Sequence, residues 1–337
     1  MLSEFDLIAR YFTRPLRPDS RAALGVGDDC ALLAPGPGMQ LAISTDMLVE
    51  GRHFFAGCDP AKLGHKSLAV NLSDLSAMGA RPLAFTLALA LPEAQDTWLA
   101  EFSRGLFALA DQYDCELIGG DTTKGPLNIC ITIFGELKAG TALRRDTARA
   151  GDDIWISGTL GDARLALAGY RNELVLPAAL QDAAAERLHR PTPRVALGLA
   201  LVGIAHAAID ISDGLSGDLA HILTQSGKGA RINVDALPVG PTLAALAAHA
   251  QFNSSSAART DLLDLRRKFA LTGGDDYELC FTAPAASCDA VLAAAGSTGV
   301  QITRIGSILA QPGLHLLDEN ANALTLPLNS FDHFTSP

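Results

Sequence analysis

Five apolar runs in this chain end in small residues and aspartate: Gly27-Asp28-Asp29, Ser44-Thr45-Asp46, Gly119-Gly120-Asp121, Asp210-Ile211-Ser212-Asp213 and Gly273-Gly274-Asp275-Asp276. An apolar run that passes into glycine and aspartate reads as a strand leaving the core by a tight turn. The pattern therefore demands several strands that deliver carboxylates to their ends. Carboxylates gathered there repel one another, and repel phosphates, unless a hard cation lies between them. Oxygen-only donors of this kind suit Mg²⁺, which keeps several waters and bridges protein carboxylates to substrate phosphates. One such turn is ordinary loop chemistry. Five, spread over the whole chain, point to a polyphosphate site built with metals.

With 337 residues, the chain exceeds what one hydrophobic core usually serves, so two domains are expected. Its 26 Lys and Arg against 37 Asp and Glu leave a net charge of −11. That balance argues against nucleic acid and against an anionic membrane surface, since either needs a concentrated basic face. The six cysteines (Cys30, Cys58, Cys115, Cys130, Cys280, Cys288) contain no C-x-x-C pair and read as small buried hydrophobes of a reducing compartment. Glu4 and Asp6 stand where a signal peptide would be basic. The longest apolar stretch, Val195 to Ala205, is short of the ~20 residues that span a bilayer. A cytoplasmic location is expected.

Periodicity predicts a helix over Leu2 to Phe12, with Phe5, Ile8 and Phe12 on one side, then a strand over Leu41 to Asp46 and a helix over 61–79. On that second helix Ser67, Asn71 and Asp74 share one face. A solvated surface is the plain explanation, but the apolar residues around the stripe favour a polar face directed at a site. Strands follow over Ala84 to Leu91, Cys115 to Ile118 and Leu127 to Leu137, with a helix marked by Trp98, Phe102, Leu106, Leu109 and Tyr113. A polar stretch, Arg144 to Gly151, places a domain boundary near residue 150. Beyond it the pattern predicts a strand over Asp153 to Ser157, helices over 161–169, 177–188, 194–207 and 214–225, and strands near 208–211, 230–234, 277–282, 301–309 and 314–317. These make a second α/β domain. Asn253 to Arg259 reads as an exposed loop.

Familiar nucleotide motifs are absent. Gly25-Val26-Gly27-Asp28-Asp29-Cys30 lacks the third glycine of a dinucleotide fingerprint and would set two carboxylates against a pyrophosphate. Gly64-His65-Lys66-Ser67 lacks the glycine that precedes lysine in a P-loop. Phosphates must then be held by metals and loop amides. Asp28 reads as a helix cap, and Asp162 and Asp218 as caps or solvent-facing residues. Asp210 and Asp213 are harder to dismiss, because Ser212 is placed to cap a helix whose amides and positive end suit an anion. Gly120-Asp121-Thr122-Thr123-Lys124 gathers a carboxylate, two hydroxyls and a cation within five residues.

Taken together, the motifs resemble the thiamine-monophosphate kinase family, of the superfamily of aminoimidazole-ribonucleotide synthetase and selenophosphate synthetase. The segments that carry the resemblance begin with residues 4–12, 25–33, 44–54 and 71–80. They continue with Gly119-Gly120-Asp121-Thr122, residues 210–215 and 273–279, and Phe331-Asp332-His333-Phe334. The resemblance implies an α/β, two-domain aminoimidazole-ribonucleotide-synthetase-like fold. Residues 1–150 would bind ATP and metal and form a homodimer through their sheet, and 151–337 would be the C-terminal α/β domain. It implies transfer of the ATP γ-phosphoryl group to thiamine monophosphate with several Mg²⁺ ions. The family's metal ligands fall on Asp29, Ser44, Thr45, Asp46, Asp74, Asp121, Asp210 and Asp213, with the catalytic weight on Asp46, Asp121 and Asp213. Nucleotide contacts fall on Gly120, Asp121, Arg145 and Ser212, and substrate contacts on His53, Asp275 and Phe331. Without the resemblance, His53 would read as a surface-loop histidine and Phe331 as a tail residue capping the core. The chain departs from the family pattern at Asp275, where glutamate is usual, and at Phe331, where tyrosine or tryptophan is usual.

The chemistry agrees on independent grounds. A phosphate monoester has a second pKa of about 6, so the acceptor oxygen is already an anion at neutral pH and needs no general base. The obstacle is repulsion between two polyanions, which metals and an arginine relieve. Selenophosphate synthetase needs a reactive early cysteine, and here the first is Cys30. The hydrogenase-maturation relative needs a terminal cysteine, and this chain ends Phe334-Thr335-Ser336-Pro337. An aminoimidazole-ribonucleotide-synthetase-like activity and a non-catalytic sensor of thiamine phosphates or nucleotides remain as alternatives.

Overall fold

The computed structural model describes residues 4–249 and 255–326. Phe331 lies outside them. The chain folds as two compact units: Met1–Leu75 with Gly79–Ala142, and Ser76–Met78 with Leu143–Pro337.

The first unit opens with a helical turn, α1 (Glu4–Leu7), that widens into a π-helical turn over Ile8–Phe12. A π turn brings residues five apart onto one side, so Leu7 and Phe12 are buried and Phe5, expected on the inner side, is 80% exposed. From Arg10 in that turn onward, four arginines reach carboxylates along the unit. Arg10 meets Asp96 at 2.9 Å, Arg14 meets Asp111 at 3.0 Å, Arg17 meets Asp114, and Arg21 meets Glu136 at 3.8 Å. This ladder leads through β1 (Ala22–Leu24) and the Gly27-Asp28-Asp29 loop into β2 (Leu32–Leu33).

The core of the unit is a four-stranded sheet and two helices. In chain order these are β3 (Met39–Val49), α2 (Pro60–Met78), β4 (Arg81–Leu91), α3 (Asp96–Gln112), β5 (Glu116–Lys124) and β6 (Asn128–Lys138). The sheet runs β3-β6-β4-β5, with β4 and β5 parallel and the other pairs antiparallel. Asp59 starts α2, its carboxylate accepting from the amides of Ala61 and Lys62 ahead of Pro60 in the first turn. Phe85, Leu87 and Leu89 of β4 are buried with Ile129, Ile131 and Ile133 of β6, as are Leu68, Leu72, Leu75, Leu99, Phe102 and Leu106 of the helices. Alternation turns the intervening residues to the other face. On β3 that face exposes Leu41, Ile43 and Met47.

The second unit carries β7 (Asp152–Ser157), α4 (Asp162–Tyr170), α5 (Ala178–His189), α6 (Val195–Leu201), β8 (Ala207–Asp210), α7 (Leu215–Ser226), β9 (Gly229–Asn233) and α8 (Pro241–Ala245). It closes with α9 (Ser256–Thr272), β10 (Leu279–Pro284), α10 (Cys288–Thr298), β11 (Ile302–Leu309) and β12 (Gly313–Leu317). Six strands run β12-β9-β11-β7-β10-β8, with only the β12–β9 pair parallel. Ile154 and Ile156 of β7 pack with Leu215, Leu219 and Ile222 of α7. Trp155, between them, packs on the opposite face with Phe281, Leu197, Leu201 and Val291. Both faces of β7 are therefore covered, which explains its unbroken apolar run.

Two expectations are corrected here. The helix expected over 194–207 stops at Leu201, because Val202 is extended and Gly203 takes φ +80°. Residues 256–259, expected in a loop, begin α9 instead; 253 and 254 lie outside the described residues. Among the described residues no helix is long and apolar enough to cross a membrane.

Candidate active site

Two of the five acidic segments are not turns. Ser44, Thr45 and Asp46 lie mid-way along β3, and Gly119, Gly120 and Asp121 lie within β5. On β3, Ser44 and Asp46 share one face, and the Ser44 hydroxyl donates to the Asp74 carboxylate of α2. Thr45 points to the other face, where its hydroxyl meets that of Thr132 at 2.9 Å. Of the stripe on α2, only Asp74 reaches this site. Ser67 and Asn71 are buried and turn back on the helix, to the carbonyls of Leu63 and Ser67.

Gly120 is held at φ +149° in register with Leu87, and a Cβ there would sit 1.9 Å from the Leu87 carbonyl oxygen. Only glycine allows this backbone. The register Asp46–Ile131–Leu87–Gly120 runs across all four strands. Asp46 and Asp121 thus occupy opposite edge strands, roughly 14 Å apart at the usual strand spacing. Asp28 and Asp29 are exposed in their loop, with Asp28 accepting from the Asp29 amide at 2.8 Å rather than capping a helix. His53 follows β3, and its Nδ1 accepts from the Val49 amide at 2.9 Å, which leaves the ring proton to Nε2.

In the second unit, the segments at 210–213 and 273–278 are zipped together. The amides of Asp275 and Tyr277 donate to the carbonyls of Ser212 and Ile211, each at 2.8 Å, and the Ile211 amide donates to the Glu278 carbonyl at 2.8 Å. Asp210, Ser212, Asp213 and Asp275 are therefore neighbours. Gly214, not Ser212, flanks α7, with no side-chain cap. Asp218, expected at the surface, is buried and accepts from the amides of Ser212 and Asp213, each at 3.1 Å. Burial, then the charges of Asp210 and Asp213, push its carboxyl up to about 8. Asp162 is also buried, where it accepts from the amides of Thr242 and Leu243 and so caps α8 rather than its own helix. Arg145 is exposed, and its carbonyl accepts from Ser226 at the far end of α7. A helix of 12 residues is about 18 Å long, so this chain does not bring Arg145 to Ser212.

Residues 27–137 match the family model of the AIR synthase related protein N-terminal domain, and residues 149–319 match that of its C-terminal domain. The chain is 47% identical over 336 residues to the thiamine-monophosphate kinase of Salmonella typhimurium, covering 99% of each. The crystal structure of the thiamine-monophosphate kinase of Stenotrophomonas maltophilia K279a is similar at a TM-score of 0.82 and 48% identity, over 94% of this chain and 96% of that one. This chain belongs to the thiamine-monophosphate kinase family. AaThiL, solved in complex with AMPPCP and TMP, is similar at a TM-score of 0.75 and 28% identity, over 89% of each chain.

Beside the site residues expected for the thiamine-monophosphate kinase family, the 273–279 segment carries two buried charges. Asp276 is fully buried and accepts from the Gly161 amide at 3.1 and 3.0 Å, one distance per carboxylate oxygen. Burial pushes its carboxyl well above the ordinary aspartate range. Glu278 is buried between Arg187, Arg194 and Ser157. One signal was available in the sequence: a glutamate directly before Leu279-Cys280-Phe281 stands at the mouth of an apolar strand, and such a charge has to be paired. Among the described residues, no three His, Cys, Asp or Glu are gathered closely enough to hold a metal ion by themselves. What the two units offer is pairs and triplets of oxygen donors, a set that fits a hard, partly hydrated divalent cation.

Proposed function

We propose that this chain catalyses ATP-dependent phosphorylation of thiamine monophosphate to thiamine diphosphate, by direct in-line transfer with Mg²⁺. The observation that carries this reading is the zipped pair of loops at 210–213 and 273–278. They set metal-type carboxylates beside Asp275 in a chain nearly half identical to a kinase of this substrate over its full length.

Asp29, Ser44, Thr45, Asp46, Asp74, Asp121, Asp210 and Asp213 would hold Mg²⁺, with Thr45 serving through its backbone because its hydroxyl faces away. Fit to the ion rests on the donor chemistry: the zipped loops hold the carboxylates of Asp210, Asp213 and Asp275 near one another, and oxygen-only donors suit a hard divalent cation. When bound, Mg²⁺ draws charge from the phosphates and lets two polyanions approach. Gly120, Asp121, Arg145 and Ser212 would contact the nucleotide, the glycine by letting the backbone come close. His53, Asp275 and Phe331 would bind the acceptor, offering an imidazole, a carboxylate and an aromatic face to a cationic thiazolium and its aminopyrimidine. The acceptor phosphate is its own nucleophile, so these side chains orient it and take no proton.

The active form is read as a homodimer through the first unit's sheet, in the cytoplasm. Leu41, Ile43 and Met47 leave an apolar face on an edge strand, 60% exposed at Ile43, and such a face needs cover. Two copies closing edge to edge, with β3 of one beside β5 of the other, would bring Asp46 of one copy to Asp121 of the other. Purified protein given ATP, Mg²⁺ and thiamine monophosphate should form ADP and thiamine diphosphate, and thiamine itself should not replace the acceptor. Turnover on thiamine but not on its phosphate would overturn the reading.

A further inference from the structure

The loop that carries Asp275 is held in a backbone conformation that its own residues disfavour. Asp275 has φ +66° and Tyr277 φ +50°. Both are in the left-handed region that non-glycine residues seldom adopt, and such backbone persists only where the surroundings over-determine it. The surroundings here are two buried carboxylates. On one side of Tyr277, Asp276 anchors to the Gly161 amide. On the other, Glu278 receives Arg187 Nη2 at 2.8 Å, Arg194 Nε at 2.6 Å together with Arg194 Nη2, and the Ser157 hydroxyl at 2.6 Å. The same Ser157 oxygen accepts from the Leu279 amide at 2.8 Å, and Arg187 also donates to the Asp276 carbonyl at 3.3 Å. Gly158, at φ +54°, leaves the space this carboxylate fills, since a Cβ there would meet Glu278 Oε1 at 2.1 Å.

We infer that Glu278, clamped by Arg187, Arg194 and Ser157, is a positioning residue that holds Asp275 beside Ser212 in the geometry the acceptor requires. This rests on the reading of Asp275 as an acceptor contact. Glu278 is sealed from solvent and touches no substrate; it works by fixing the end of β10 against β7, so that the Asp275 and Tyr277 amides can only face the 211–212 carbonyls. A bidentate Arg194 resists rotation of the carboxylate, and Arg187 ties the carboxylate to the loop backbone. A packing role alone would lower stability without choosing between substrates. A positioning role must weaken the acceptor more than ATP.

The test is steady-state kinetics on the full chain with both substrates varied. Glu278→Gln, and the milder Ser157→Ala should Glu278→Gln fail to fold, are compared with Asp275→Ala and with the double variants. Folding at the assay temperature is checked by thermal melting. The expected result is a rise of about tenfold or more in KM for thiamine monophosphate for Glu278→Gln, and a smaller rise for Ser157→Ala. The change in KM for ATP should stay under about threefold. Glu278→Gln should add nothing to Asp275→Ala, because one acts through the other. Full additivity in the double variant, equal effects on both substrates, or no kinetic effect in a folded variant would overturn the inference. If Asp275→Ala alone leaves the acceptor KM unchanged, the acceptor reading of Asp275 fails, and the clamp as its positioning device falls with it. If Asp275→Ala raises that KM and folded Glu278→Gln does not, the clamp alone is refuted.

Discussion

If one chain carries Asp46 and Asp121 on opposite edges of its sheet, a site that uses both must draw them from two copies. The register shows three strand-to-strand steps between them, or roughly 14 Å. Two ligands of one Mg²⁺ each sit at about 2.1 Å from it, so that gap is far too wide within one sheet. Asp46→Asn and Asp121→Asn should each cut turnover by roughly 100-fold, the usual scale for losing one preorganised charge contact. The two inactive proteins, mixed and allowed to exchange subunits, should then regain activity. In a two-fold dimer half the molecules are hybrids, and each hybrid has one site with both aspartates intact, so about a quarter of wild-type turnover should return. The assay is ADP release in the presence of thiamine monophosphate, with sedimentation to confirm dimers. Mixing Asp46→Asn with Asp74→Asn is the control. Ser44 ties Asp74 to the face of β3 that carries Asp46 in the same copy, so no hybrid restores that site. A mixture of Asp46→Asn and Asp121→Asn no more active than its parents would refute the shared-edge argument.

Three further outcomes are expected. Gly120→Ala places a methyl 1.9 Å from the Leu87 carbonyl at φ +149°, so it should lower stability by about 1–3 kcal/mol, measured by urea denaturation, and abolish turnover. Burial raises the Asp276 pKa in the folded chain well above its unfolded value. The folded chain therefore holds an extra proton above pH ~4, and stability falls as pH rises towards the raised value by up to about 1.4 kcal/mol per pH unit. Denaturation of Asp276→Asn across pH 4.5 to 8 should lack that slope; an unchanged slope would assign it elsewhere. Phe331→Ala and Asp275→Ala should raise KM for thiamine monophosphate more than KM for ATP, and equal effects would place both residues outside the acceptor pocket.

Much of the architecture is legible in the sequence because apolar alternation and helical spacing mark β3, β4, β6, α2 and α3 to within three residues at each end. The failures have physical causes. Gly119 and Gly120 look like a turn because glycine usually breaks strands, yet here a parallel neighbour, β4, supplies the pairing that carries the strand on through Asp121. The stripe Ser67-Asn71-Asp74 looks like one surface, but the serine hydroxyl and the asparagine Nδ2 can donate to carbonyls of the preceding helical turn and aspartate cannot. Asp162 and Asp218 resemble ordinary caps of their own helices, and nothing local reveals that Asp162 accepts from amides 80 and 81 residues away or that Asp218 is buried under the loop before its helix. The site motifs were legible as a set of aspartates. Which of them one copy brings together was not, because that depends on strand order.

The arginine ladder at the start of the chain gives dissolved salt a handle on one acidic loop. Three rungs are exposed ion pairs worth at most about 1 kcal/mol each, so none of these is decisive, and with Arg21 on the buried Glu136 they anchor the stretch that runs into Asp28 and Asp29. Raising ionic strength from 0.1 to 1 M shrinks the screening distance from about 10 to 3 Å, which loosens the three exposed rungs at once. The sheet and helices behind them are held by apolar burial and feel none of this. Brine should therefore detach a leash while leaving the house standing: catalysis would fade at concentrations where the melting temperature has not moved.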